Sequence, residues 1–331
     1  MKKIFTTGIL LLVTAITTIA QNGIVVFQTD FGTKDGAVSA MKGVASNVDA
    51  SLKLYDLTHD IPAYHIWEAA YRLDQTVIYW PVGTVFVSVV DPGVGTTRKS
   101  VVVKTKSGHY IVTPDNGTLT LIAQSLGIDS IREIDEVNNR RKNSGASYTF
   151  HGRDVYAYTA ARLAAKKISF EQVGAIVNTP VVSIAFQKAS LQDNKLKGTI
   201  AILDIQYGNI WTNIHQDYWK AFQKITHKKN ELIVEIYHQQ KQVYKGNMPF
   251  ENTFGAVAVG KPLAYLNSLM NLSIALNQGS FAQQFKVQAG NDWTLTLTWA
   301  QEPRNYLTPN KRYKYFKKRV QINVLNTKLF S

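Results

Sequence analysis

The run Val89-Val90-Asp91-Pro92-Gly93-Val94-Gly95-Thr96-Thr97-Arg98 sets a carboxylate and a guanidinium at the two ends of a tight, glycine-rich turn. Residues 85–90 read as a buried strand, so Asp91 falls at a strand's C-terminal end. Pro92 stops the strand ladder and fixes φ, while Gly93 and Gly95 allow backbone angles closed to other residues. Such a turn can aim Asp91 and Arg98 into one crevice, in the place where open α/β sheets bind ligands. Taken alone, the turn fits a structural connection with a surface ion pair equally well, because Gly and Pro punctuate loops generally.

Four more motifs accompany it. Thr29-Asp30-Phe31-Gly32-Thr33-Lys34-Asp35-Gly36 follows an apolar strand at 24–28. Pro114-Asp115-Asn116-Gly117 and Thr149-Phe150-His151-Gly152-Arg153-Asp154 come later, and Asp204-Ile205-Gln206-Tyr207-Gly208-Asn209-Ile210-Trp211-Thr212-Asn213 lies in the second half. In this order and spacing the chain resembles the S-adenosylmethionine hydroxide adenosyltransferases (SAM hydrolases), relatives of the fluorinase and chlorinase, over about residues 24–279.

The resemblance implies hydrolysis of S-adenosyl-L-methionine to adenosine and L-methionine by water or hydroxide attacking C5′. The sulfonium makes a neutral leaving group, so neither a metal nor an organic cofactor is expected. The protein must hold the nucleoside, align water opposite sulfur and remove a proton. The family's Asp, Arg and His set falls on Asp91, Arg98 and His151. Arg98 stays cationic and favours hydroxide over water, Asp91 orients Arg98 or accepts a water proton, and His151 relays a proton near neutral pH.

The same resemblance assigns substrate contacts. Asp30 falls on the ribose position, where its carboxylate accepts from both hydroxyls, and Tyr64 stands where the fluorinase has a tryptophan over the ribose. Asp35 and Asp204 fall near the methionine amino group, and Asn209 on the adenine. Tyr207, Trp211 and Phe254 are expected to pack on the adenine. Ser268 matches a methionine-carboxylate contact, but Leu269 replaces an adjacent arginine of the fluorinase. The fluorinase also has a tyrosine at Asp91, a tyrosine-serine pair at His151-Gly152, and a long insertion where residues 100–113 here read as a short hairpin. These departures point away from a halogenase.

The elements that must position these groups follow from periodicity. Strands are expected at 24–28, 52–57, 84–90, 100–104 and 110–113, and helices at 65–77 and 154–165. That gives an α/β domain over 23–190 with helices flanking a central sheet, with the Phe150 to Asp154 motif at a helix N-terminus. Periodicity fades over 180–197, and a β-rich antiparallel domain follows over 196–331. Its strands are expected at 197–205, 231–237, 262–266 and 293–299, the last with Trp293, Leu295, Leu297 and Trp299 on one face.

Residues 1–20 read as a signal peptide: Lys2 and Lys3, an apolar core short for a membrane span, and Thr18-Ile19-Ala20 before the cut. The expected location is therefore the periplasm or medium, with no stable membrane anchor. The absence of cysteine excludes a disulfide framework and a lipidated cysteine. The formal charge is +14, and its clearest cluster is Lys311, Arg312, Lys314, Lys317, Lys318 and Arg319. With interleaved aromatics and no nucleic-acid motif, this cluster reads as a solvated strand edge, so no nucleic-acid partner is expected. The resemblance implies a homotrimer with each site between subunits. Two alternatives stay open. One is a metal-dependent hydrolase using Asp30, His59, Asp60, Asp91 and His151, although no paired-His spacing occurs. The other is a non-catalytic protein that binds SAM or a nucleoside.

Overall fold

The computed structural model describes residues 21–225 and 231–300. The leader at 1–20 and the basic cluster at 311–319 lie outside the described residues. In the N-terminal half the elements run β1 (Ile24–Thr29), α1 (Ala37–Val48), β2 (Lys53–Thr58), α2 (Ile66–Val77), β3 (Val85–Val89), β4 (Ser100–Thr105), β5 (Tyr110–Pro114), α3 (Thr120–Ser125), β6 (Ile128–Glu133) and α4 (Glu136–Asn139). A π-helical segment, Gly152–Ala157, then passes directly into α5 (Tyr158–Ala164). The sheet order is β2-β1-β3-β5-β4-β6. β1 pairs parallel with β2 and β3, and β3 with β5, whereas β4 pairs antiparallel with both neighbours.

Strand alternation explains the layers. Val25, Phe27, Val85, Val87, Val102 and Val112 face one side, where they pack with Met41 and Ala45 of α1 and Ala160, Ala161 and Leu163 of α5. Val26, Phe86, Val101, Val103 and Ile111 face the other, against Leu73 and Val77 of α2 and Ile122 of α3. A sheet covered on both faces needs apolar residues at successive positions, and the strands supply them.

The second half contains β7 (Ser190–Gln192), β8 (Lys195–Leu203), β9 (Ile210–His215), α6 (Gln216–Gln223), β10 (Glu231–His238), β11 (Lys241–Pro249), β12 (Pro262–Leu266), β13 (Asn271–Leu276), α7 (Phe281–Phe285) and β14 (Gly290–Trp299). Its antiparallel order is β11-β10-β14-β8-β9-β13-β12, with β7 on β8, and a bridge from Phe250 to Ala264 links the end of β11 to β12. Trp293, Leu295 and Leu297 of β14 are buried on one face, as their alternation requires.

Helix α2 fastens the two halves. The Trp67 indole donates to the Ala201 carbonyl at 2.8 Å, and Arg72 donates to the Leu203 carbonyl at 3.0 Å. Tyr71 and Trp211 pack between them with Ala201 and Ile202. The 154–165 helix departs from expectation in beginning two residues earlier, at Gly152, and with π geometry.

Leu73 is fully buried where α2 meets the sheet. Leu73→Ala is expected to cost about 2–5 kcal/mol in urea unfolding, because the cavity forms against strands that cannot collapse into it.

Candidate active site

Asp30 follows β1 and Asp91 follows β3, so two carboxylates stand at the C-terminal ends of adjacent parallel strands. The turn between Asp91 and Arg98 is closed by its own backbone. Val94 N–H donates to the Asp91 carbonyl, Thr96 N–H and hydroxyl donate to the Gly93 carbonyl, and Gly95 takes φ 79°. The Asn116 side chain of the Pro-Asp-Asn-Gly motif donates to the Val90 carbonyl at 2.8 Å and braces the strand end.

This turn folds Arg98 back on Asp91. Arg98 Nε donates to Asp91 Oδ1 at 2.8 Å and Nη2 donates to Oδ2, a bidentate pair whose side chains are 11% and 6% exposed. Arg98 Nη1 donates to Ser100 Oγ at 2.9 Å, Ser100 Oγ lies 3.1 Å from the Tyr156 hydroxyl, and that hydroxyl lies 3.5 Å from Asp91 Oδ2. Burial works against the Arg98 charge, but the Asp91 hydrogen bonds and nearby negative charge more than offset it, so the guanidinium pKa is raised. Burial also pushes the Tyr156 phenol well above its ordinary value, reinforced by the Asp91 charge.

His151 enters from the other side. It immediately precedes the π-helical segment, is 5% exposed, and its Nε2 lies 3.5 Å from Glu136 Oε1 and 3.4 Å from Arg140 Nη2. Its Nδ1 is buried and has no hydrogen-bond partner among the described residues. Glu136 is held below the ordinary carboxylate range, first by the hydrogen bond with His151 and then by Arg140, against the effect of burial. Gly152 lets the segment approach closely: a Cβ there would stand 3.2 Å from the Phe31 ring and 3.4 Å from Met41 Sδ, and those side chains would have to give by a few tenths of an ångström.

These groups surround a cavity of about 280 Å³ lined by Asp30, Phe31, Ala63, Tyr64, Val89, Asp91, Val94 and residues 149–152. Asp30, Tyr64, Asp91 and His151 thus share one wall system, with Arg98 behind Asp91. Asp30 Oδ2 accepts the Tyr64 backbone N–H at 2.9 Å, where Tyr64 takes φ 69° and is 72% exposed. Asp35 is not in this lining. It is exposed and accepts from Ala37 N–H at the start of α1.

The β-domain candidates form a second group that does not line the cavity. Asn209 Nδ2 donates to Asp204 Oδ2 at 3.2 Å across the β8–β9 loop, with Tyr207 exposed at its tip. The Trp211 indole donates to the Tyr265 hydroxyl at 3.3 Å, and Phe254 packs edge-on to Tyr265 at 5.0 Å. Trp211 is buried against Tyr71 at the junction of the two halves, and Leu269 packs into the same cluster. Ser268 is exposed in the turn after β12. Tyr156, Ser100, Glu136, Arg140 and Tyr265 were not singled out from sequence. Tyr156 lies five residues after His151, with the rings 6.4 Å apart, a neighbour relation of π rather than α geometry.

Two of the five donors of the metal alternative, His59 and Asp91, are committed to other partners. Both His59 nitrogens lie within 3.0 Å of Thr29 and Asp56, and Asp91 gives both oxygens to Arg98. Among the described residues no group of three or more His, Asp or Glu side chains is placed to hold a metal ion.

The loop that carries His151 depends on Asp154, which is buried and pairs with Arg141 and Arg153. Burial raises the Asp154 pKa, but the hydrogen bonds from the two arginines more than offset it, leaving it below 3.8. A depressed carboxylate contributes stability above its unfolded pKa and loses it as pH falls through the folded value. Asp154→Asn should therefore destabilise the protein near neutral pH in urea titrations, with the difference from the parent shrinking once pH drops below 3.8.

The family profile described as the SAM hydroxide adenosyltransferase N-terminal domain matches residues 25–174, and the one described as its C-terminal domain matches 198–294. The chain is 35% identical over 265 residues to the (R)-S-adenosyl-L-methionine hydrolase of Methanocaldococcus jannaschii, covering 75% of this chain and 92% of that one. It is 29% identical over 295 residues to the fluorinase of Actinopolyspora mzabensis, covering 81% and 95%. Among solved structures, an uncharacterized conserved protein from Thermotoga maritima superposes with TM-score 0.74 at 33% identity, covering 83% of this chain and 99% of that one.

Proposed function

The chain belongs to the SAM hydroxide adenosyltransferase family, and from that premise we propose that it hydrolyses S-adenosyl-L-methionine to adenosine and L-methionine. The observation that carries the reading is the buried Asp91–Arg98 pair, with His151 on the wall of the same cavity. Water attacks C5′, the C5′–S⁺ bond breaks, and its electron pair returns to sulfur to leave a neutral thioether. The proton released from water is the only charge that must be cleared. Arg98 stabilises developing hydroxide, Asp91 fixes the guanidinium, and His151 takes the proton. Asp30 accepts the ribose hydroxyls, and Tyr64 covers that ring.

The reading extends to the assembly. Asp204, Tyr207, Asn209, Trp211, Phe254 and Ser268 are assigned to adenine and methionine, as is Asp35 to the amino group. Because the β-domain candidates do not line the cavity of their own chain, a homotrimer that sets the β domain of one subunit over the cavity of the next would complete each site. Cleavage of the leader at 1–20 would place the enzyme outside the cytoplasm.

Protein lacking the leader, incubated with SAM and EDTA, should release adenosine and methionine in equal amounts by chromatography. Arg98→Ala should lower kcat/KM by about 100-fold or more through loss of charge stabilisation. Binding without turnover in the parent would instead favour the non-catalytic alternative. A mixture of Arg98→Ala and Asn209→Ala chains, refolded together, should recover roughly a quarter of parental activity if sites form between subunits. No recovery would place both residues' contributions in one chain.

A further inference from the structure

A second chain of polar groups runs beneath the cavity and is not part of the reaction described above. Thr29, the last residue of β1, accepts the Phe31 N–H at 3.2 Å, and its Oγ1 lies 2.8 Å from His59 Nδ1. His59 Nε2 lies 2.9 Å from Asp56 Oδ1, and Lys42 Nζ of α1 donates to Asp56 Oδ2 at 2.6 Å. The polarity of the chain follows from its ends. Asp56, paired with Lys42, accepts, so Nε2 carries the ring proton. His59 Nδ1 is then the acceptor for the one hydrogen of Thr29, whose oxygen receives Phe31.

Hydroxyl, imidazole and carboxylate in this order also occur in nucleophilic hydrolases. Thr29 is fully buried, however, so its oxygen cannot meet a substrate. What the chain does hold is the turn that presents Asp30. Thr29 and Phe31 are its two neighbours, Gly32 N–H donates to the His59 carbonyl at 2.8 Å, and Asp30 itself accepts from Tyr64 of the loop that begins at His59. Asp30, Phe31, Ala63 and Tyr64 all line the cavity.

We propose that His59 is a positioning residue for substrate binding: through Thr29 and its own carbonyl it fixes the Asp30 turn and the Tyr64 loop as one unit that receives the ribose. The inference rests on the hydrolase reading and on Asp30 as the ribose contact, and assigns the ordering of that contact to the Thr29–His59–Asp56 chain. Loosening the turn weakens binding in the ground state and transition state alike, and leaves Asp91, Arg98 and His151 in place. The signature is therefore a rise in KM with kcat preserved.

Thr29→Val keeps the side-chain shape and removes the hydroxyl, and Thr29→Ser restores it. With SAM as substrate, Thr29→Val should raise KM about tenfold with kcat within about twofold of the parent, and Thr29→Ser should return KM to near the parental value. Asp56→Ala, at a half-exposed position, should raise KM in the same direction and covers the case in which Thr29→Val fails to fold. The parent should also favour SAM over its 2′-deoxy analogue, and that preference should fall in Thr29→Val because the missing hydroxyl meets a carboxylate no longer held in place. Unchanged KM in the folded variants, or a fall in kcat without a rise in KM, overturns the inference. Asp30→Ala and the parent serve as references. If the parent turns over SAM and Asp30→Ala raises KM while the Thr29 and Asp56 variants do not, the hydrolase reading stands and the positioning role falls. If the parent does not turn over SAM, the reading itself falls.

Discussion

The site is built around one buried ion pair. Asp91 and Arg98 satisfy each other through two parallel hydrogen bonds, and removing either partner would strand a charge at a cost of about 3–5 kcal/mol. Each neighbour of the pair comes from a different element: the strand end before Asp91, the glycine turn, Ser100 at the start of β4, and Tyr156 in the π-helical segment. The guanidinium is thereby fixed before any substrate arrives. Preorganised charge of this kind stabilises a developing anion without reorganisation at the moment of reaction.

The sheet determines where this pair can act. The chain leaves β1 towards β2 and leaves β3 towards β4, in opposite directions across the sheet. The crevice between those departures is where open α/β sheets bind ligands, and Asp30 and Asp91 stand on its two sides. Helix α2, which begins two residues after Tyr64, ties the β domain to the α/β half through Trp67, Tyr71 and Arg72. Within one chain this leaves the β-domain candidates off the cavity lining, with Tyr64, Tyr207 and Phe254 exposed. The proposed trimer gives those rings something to cover.

Sequence made the strand-end carboxylates legible because a strand that stops at Asp-Pro-Gly or Asp-Phe-Gly has few ways to continue. The hairpin at 100–113 was equally readable from its length, and β4 and β5 pair over that span. Clean alternation in β14 identified its buried face. Other features depend on long-range packing. Tyr156 reaches the Asp91 network only because the helix begins with π rather than α phase, which no apolar period announces. Glu136 and Arg140 reach His151 from the first residue of a four-residue helix and the residue that follows it. Trp211, assigned to adenine by its place in a motif, is buried against Tyr71 at the junction between the halves, a neighbour that only the fold supplies. Short strands such as β6, β9 and β13 likewise take their identity from their partners rather than from their own composition.

The most direct test of chemistry at this site is hydrolysis of SAM in ¹⁸O-enriched water, with both products weighed by mass spectrometry. Attack of water at C5′ predicts one ¹⁸O in adenosine, at the 5′-hydroxyl, and unlabelled methionine. Unlabelled nucleoside, or methylthioadenosine as the nucleoside product, would show that the bond broken is not the C5′–S bond under attack by water, and would contradict the role given to Asp91, Arg98 and His151.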